Sequence, residues 1–160
     1  MSNPVFESIV RMLDEHGIRY EVKHHAPTLT SEDSARERGT PLEWGGKSIL
    51  FKVGQSFKIF VFSAARALDS LAIKKYFHEK DRRFATRDEL KGFTGLESGS
   101  VPPFGHPILL FDLFVDTSIT KNDKIAFNAG SLTDSVIMDT KDYLEIAKPT
   151  VFDFTEEKKA

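Results

Sequence analysis

Residues 45–63 read GGKSILFKVGQSFKIFVFS. Ser48 to Val53 and Phe57 to Ser63 are rich in β-branched and aromatic residues, and Gly54-Gln55-Ser56 between them has the composition of a tight connection. Two such runs about one short turn read as an antiparallel hairpin. It is the clearest β signal in the chain. Gly45-Gly46-Lys47-Ser48 superficially echoes the end of a phosphate-cradling P-loop. That motif needs a glycine where this chain has Pro41, and a helix where a strand follows the lysine. A nucleotide hydrolase is excluded on both grounds.

Upstream of the hairpin, Asn3 can cap a helix that has Pro4 at its first position. Phe6, Ile9, Val10 and Leu13 then share one helical face, and Gly17 supplies the stop. Tyr20 to His24 alternates as a short strand, which His25-Ala26-Pro27 breaks. Thr30 or Ser31 can cap a short polar helix ending at Gly39. Downstream, Asp69 can cap a helix through about His78. Thr86-Arg87-Asp88-Glu89 has capping-box spacing for another. A long strand is expected from about Ile108 to Val115, and shorter ones at Lys124–Asn128 and Ser135–Met138. Thr140 is expected to cap a helix to Ala147. Val151 to Phe154 reads as a last strand, and the charged tail Glu156 to Ala160 as frayed. Strands dominate the middle with helices between them. The expectation is one α+β domain over residues 1–160, a mixed, mostly antiparallel sheet curled toward a barrel and flanked by helices.

The chain's 160 residues suffice for one sizeable core, and 14 phenylalanines predict aromatic-rich core layers. The absence of cysteine removes disulfides, thiolate nucleophiles and cysteine zinc sites, and fits a reducing cytoplasm. MSNPVFESIV lacks the pattern of a secretory signal, and no apolar run approaches a membrane span. A cytoplasmic location without membrane contact is expected. The formal net charge of −2 means that any nucleic-acid contact must come from a local patch.

No Ser/His/Asp arrangement or nucleophile elbow is present. The five histidines lack the spacing that would put two imidazoles on one metal, so no metal site is expected. Lys47 enters an apolar strand directly after two glycines. It can be a solvated strand-end lysine, or a point charge reaching a phosphate or carbonyl. Residues 66–91 hold eight basic against five acidic residues, with Tyr76, Phe77 and Phe84 interleaved. This is either the solvated side of a helix or a nucleic-acid face. Asn128, Gly130 and Ser131 end a strand in small polar residues, a plain turn or room for a ligand. GSVPPFGHP at 99–107 fixes its backbone unusually firmly. His106 within it can be a turn histidine or lie near a site.

Together, GGKSILFKV (45–53), GLESGSVPPFGHP (95–107) and IAFNAGSLTDSVIM (125–138) followed by a helix resemble the YbaK/ProX superfamily. These are free-standing relatives of the editing domain inserted in bacterial prolyl-tRNA synthetases. The resemblance runs from about Phe6 to Phe154. KIAFNAGSLTDSVIMDTKDYLEIAKP (124–149) is most similar to the YeaK-type branch, associated with removing serine or threonine from wrongly charged tRNA. It implies a trans-acting aminoacyl-tRNA deacylase without cofactor, metal or covalent nucleophile. Its partners would be the acceptor end of mischarged tRNA and an aminoacyl-tRNA synthetase.

The resemblance assigns Lys47 to the tRNA 3′ end and the GxxxP loop, Gly99 to Pro103, to the reacting ester. Such an ester is already activated, so positioning, a water and an oxyanion site suffice. Pro102 and Pro103 have no N–H to give. The donors must come from Gly99, Ser100 and Val101, or from Phe104 and Gly105. We assign catalysis to Lys47, Gly99, Ser100 and Val101. Substrate contacts are assigned to Ser48, Pro103, Phe104, His106, Asn128, Gly130 and Ser131. Asn128 stands where the alanine-removing branch carries histidine, which favours serine or threonine, with Asn128 and Ser131 hydrogen-bonding the hydroxyl. The rival expectation is a non-catalytic module of the same fold that grips tRNA or a synthetase.

Overall fold

In a computed structural model, which describes residues 3–159, the first half forms α1 (Pro4–Glu15), β1 (Tyr20–His24), α2 (Ser31–Arg38), β2 (Gly46–Val53), β3 (Ser56–Ser63), β4 (Arg66–Leu68), α3 (Ser70–Phe77), β5 (Arg82–Phe84) and α4 (Arg87–Thr94). The second half forms β6 (Leu113–Val115), α5 (Thr117–Thr120), β7 (Lys124–Asn128), β8 (Asp134–Asp139), α6 (Thr140–Ala147), β9 (Thr150–Val151) and β10 (Thr155–Glu157). This is the mixed α+β architecture expected. Met1, Ser2 and Ala160 lie outside the described residues, and with them the ends of the N-terminal and tail readings.

Helix starts follow the capping residues. The Asn3 side chain accepts from Phe6 N–H with Pro4 first in α1, and the Thr86–Glu89 capping box opens α4. β2 and β3 pair in register from Gly46–Ser63 to Val53–Ser56, turning at Gly54 with φ +60°. A five-stranded sheet has the order β5-β2-β3-β6-β9; β3–β6 and β6–β9 are parallel, the other pairs antiparallel. A second sheet has the order β1-β8-β7, and β10 pairs with β4.

Alternation along β2 feeds two cores. Leu50 joins Ile59, Val61, Phe127, Met138 and Tyr143 beneath α1. Phe51, with Phe60, Phe62, Phe114 and Phe154, forms the aromatic layer against α3. Each such buried side chain contributes about 1.5–3 kcal/mol of transfer free energy.

The site is created where β2 lacks a partner on one edge, while β3 stays paired along the other. β5 pairs only with Phe51 to Val53, and its successor Ala85 donates to the Leu50 carbonyl. At the other end Gly45 makes a parallel bridge to Ala126 of β7. Residues 46–49 lie between these two partners, along an edge that splays open. Gly46 is needed there, because a Cβ would stand 2.8 Å from Ile125 Cδ1 of β7.

Several expectations are corrected. The strand expected from Ile108 shrinks to Leu113–Val115, because residues 105–111 turn on themselves through Ile108 and Leu109 N–H donating to the Gly105 carbonyl. Thr140 is the first residue of α6 rather than its cap, with its hydroxyl buried and unpartnered. The strand expected from Val151 to Phe154 is instead the two-residue Thr150–Val151. Thr155–Glu157 does not fray but pairs with β4, because buried Asp116 accepts from Phe154 N–H at 2.7 Å and Thr155 Oγ1 at 2.8 Å.

Candidate active site

A groove of about 710 Å³ opens along the free stretch of β2. One wall is α2 and the residues before it, another the 98–101 loop with Asn128, and a third Phe84 to Arg87. Among the assigned residues, Lys47, Ser48, Gly99, Val101 and Asn128 line it.

Lys47 is exposed at the groove, its Nζ 5.9 Å from the Phe62 ring centroid. No carboxylate lies within ion-pair distance of it among the described residues. Ser48 is buried, and its hydroxyl donates to the Pro102 carbonyl at 3.1 Å. It ties the strand behind Lys47 to the loop, a positioning role.

The loop is held by its carbonyls. Gly99 O accepts from Asn128 Nδ2 at 2.7 Å and Ser100 O from Gly130 N–H at 3.0 Å. Pro102 O takes the Ser48 hydroxyl, and Pro103 O takes Tyr143 Oη at 2.6 Å. Tyr143 is fully buried, and burial pushes its phenol well above the usual range, so it stays a donor.

A trans peptide points its C=O and the following N–H in opposite directions. Tethering Ser100 O to Gly130 therefore turns Val101 N–H away from that tether. Val101 N–H has no acceptor among the described residues, and neither has Gly99 N–H. Ser100 N–H is spent on the Glu97 carbonyl at 3.1 Å, as is its hydroxyl at 2.7 Å. Of the three expected donors, two remain available. Gly99 sits at φ +87°, a conformation that suits glycine.

The other assigned residues are not brought to the groove. Phe104 is 2% exposed and packs edge-on against Phe127 and Tyr143. Pro103 is buried beside it, and His106 is exposed outside the groove lining. Gly130 acts through its N–H on Ser100. Ser131 accepts from Thr133 and Asp134 N–H and donates to Asp134 Oδ2, closing the β7–β8 turn.

Part of the charged segment 66–91 is satisfied within itself. Arg83 makes two bonds to Glu89, whose carboxyl is held down to about 2 chiefly by that pairing. Arg82 donates to the Ser70 and Lys80 carbonyls. Arg87 alone of these cations lines the groove.

Sequence reasoning missed Arg38. It is 7% exposed and lines the groove, with Nε on Ser135 Oγ and Nη2 on Asn128 Oδ1, both at 2.9 Å. Desolvation pulls its guanidinium down to about 10, so it stays cationic at neutral pH. Thr28 and Ser34, both buried and joined by a 2.7 Å hydrogen bond, add hydroxyls to the same wall. The available signal was the composition of α2, SEDSARER, which has no apolar stripe yet must turn a face inward. Its inward face is Ser34, Ala35 and Arg38. Among the described residues no group of three His, Cys, Asp or Glu stands together as a metal site, and no helix is long and apolar enough to cross a membrane.

Fold and groove define a class: a small α+β domain whose cleft is lined by the exposed Lys47 and by Gly99 and Val101, with N–H groups that lack an acceptor among the described residues. The chain belongs to the aminoacyl-tRNA editing domain family, whose family model matches residues 25–146. It is 30% identical, over 154 residues covering 92% of this chain and 91% of the relative, to the multifunctional Ser/Thr-tRNA deacylase ProXp-y of Escherichia coli (strain K12). A solved structure described as a candidate trans-editing enzyme for prolyl tRNA synthetase has a TM-score of 0.83 at 22% identity, covering 98% of this chain and 99% of its own. Another, of a hypothetical protein, has a TM-score of 0.82 at 19% identity, covering 92% and 99%. The resemblance read from the sequence holds at the level of family and fold.

Proposed function

We propose that this editing enzyme is a trans-acting aminoacyl-tRNA deacylase, cytoplasmic, that hydrolyses the ester joining serine or threonine to the 3′ end of a noncognate tRNA. The observation that carries the reading is that Val101 and Gly99, which line the groove, have N–H groups without an acceptor among the described residues, in a loop tethered by the Gly99, Ser100, Pro102 and Pro103 carbonyls. Water adds to the ester carbonyl carbon, and the oxygen that becomes negative is met by those N–H groups. The intermediate collapses by breaking the bond to the ribose oxygen, which leaves with a proton. Free amino acid and uncharged tRNA result. By resemblance, the neighbouring ribose hydroxyl helps to activate the water, so no side chain is required as general base. Lys47 grips the terminal phosphate or ribose.

The serine or threonine side chain is placed against Thr28, Ser34 and the second Nδ2 hydrogen of Asn128. A wall that hydrogen-bonds a hydroxyl discriminates well against its absence. Ser131, tied into its turn, is no longer assigned to that wall.

The test is initial-rate deacylation of serine-, threonine- and alanine-charged noncognate tRNAs. Turnover of the seryl and threonyl substrates well above the alanyl one is expected. Tight tRNA binding without turnover would replace the enzyme by the non-catalytic module.

A further inference from the structure

Leu29 and Phe84 are large apolar side chains left 91% and 56% exposed, and both line the groove. Single exposed hydrophobes are ordinary and argue nothing alone. The setting of Phe84 is different. It ends β5, the edge strand of the five-stranded sheet, and its ring packs at 82° against Phe51 with centroids 5.1 Å apart. Phe51 is 2% exposed, so the ring of Phe84 is anchored from within while most of it faces water.

The charges around it favour an anion. Lys47, Arg87 and Lys158 line the same groove against one acid, Glu32, which lies 3.7 Å from Lys158. Arg87 has no carboxylate within ion-pair distance among the described residues, whereas its neighbour Arg83 is consumed by Glu89. An anchored aromatic ring beside unpaired cations is the arrangement that holds single-stranded nucleic acid. The cations follow the phosphates and the ring takes a base.

We propose that Phe84 is the stacking platform for the terminal unpaired base of an RNA 3′ end, with Arg87 and Lys47 on the flanking phosphates. This rests on the reading of the groove as an aminoacyl-tRNA site, and it adds where the last base lies.

The test uses an uncharged RNA hairpin with a single-stranded 3′ tail ending in 2-aminopurine, whose fluorescence is quenched by stacking. Wild-type protein should quench it saturably. Phe84→Leu should lose the quenching and bind about ten-fold more weakly, and Phe84→Trp should restore both. Equal quenching and affinity in Phe84→Leu, with its melting curve unchanged, overturns the platform. The RNA carries no amino acid, so quenching without any deacylase activity would sink the enzymatic reading and leave the platform standing. Deacylation with an unchanged KM in Phe84→Leu would sink the platform and leave the enzyme.

Discussion

Asn128 donates its side-chain amide to the Gly99 carbonyl at 2.7 Å while its own oxygen accepts from Arg38 at 2.9 Å. A buried cation thus reaches the 99–103 loop through a single amide. Ser135 Oγ completes the set, 2.9 Å from Arg38 Nε and 3.2 Å from Asn128 Oδ1. Arg38 fixes which way the Asn128 amide faces, and Asn128 fixes the Gly99 carbonyl.

Asn128→Ala should therefore lower kcat about 100-fold, the cost of a small misplacement at a reacting centre, and raise KM for seryl- and threonyl-tRNA as its contact to the substrate hydroxyl is lost. Asn128→Asp separates positioning from stability. Its carboxylate gives Arg38 an ion partner but sets a negative oxygen against the Gly99 carbonyl. Deacylation should be at least as slow as in Asn128→Ala, with a melting temperature at or above wild type. Wild-type kcat in Asn128→Asp would contradict the relay.

Lys47→Ala removes a groove cation that has no carboxylate partner among the described residues. The kcat/KM for charged tRNA should fall severely. The slope of log kcat/KM against log salt should shrink by about 0.7, the signature of one phosphate contact on a single strand. A rate and salt slope equal to wild type would remove Lys47 from the site.

Gly130 has φ +88°, and a Cβ there would stand 2.8 Å from both Val5 Cβ and Asn3 Oδ1. Gly130→Ala should cost roughly 1–3 kcal/mol, combining left-handed strain with overpacking. It should also slow deacylation, because its N–H holds the Ser100 carbonyl. Thermal melts and single-turnover rates check both. Lost stability with an unchanged rate would show that the tether is dispensable.

Much of this was legible in the sequence, and the failures have common physical causes. The hairpin, the capped helices and the GxxxP loop follow from local patterns: alternation, capping residues, glycine and proline. β4, β5 and β10 are three-residue strands that exist only because a partner pairs with them, so no local periodicity marks them. In the site, Lys47, Gly99 and Val101 stood out by composition, whereas Arg38 sat in an eight-residue polar helix that reads as surface. Phe104 and Ser131 were singled out by closeness in sequence to the loop and the turn, which does not fix where a side chain points. Their side chains point into a core and a turn instead.

Asp116 predicts an acid-sensitive step in stability. Burial pushes its carboxyl up, but hydrogen bonds from Ser118, Phe154 N–H and Thr155 outweigh this and hold it below the usual range. A depressed carboxylate contributes stability that is present above its unfolded value, about 3.9, and lost as pH falls through the lower folded value. Asp116→Asn should melt well below wild type at pH 7, and the gap should narrow toward pH 2. A gap of constant size across that range would rule out the carboxylate as its origin.

In the proposed mechanism a main-chain N–H, that of Val101, stabilises the oxyanion of ester hydrolysis. Replacing Val101 by its α-hydroxy acid analogue turns that one N–H into an ester oxygen and keeps the side chain, while the Ser100 carbonyl becomes an ester carbonyl that accepts more weakly from Gly130 N–H. Single-turnover deacylation of seryl- or threonyl-tRNA should slow about 100- to 1,000-fold, with substrate affinity nearly unchanged. A rate equal to that of the all-amide protein would contradict the account.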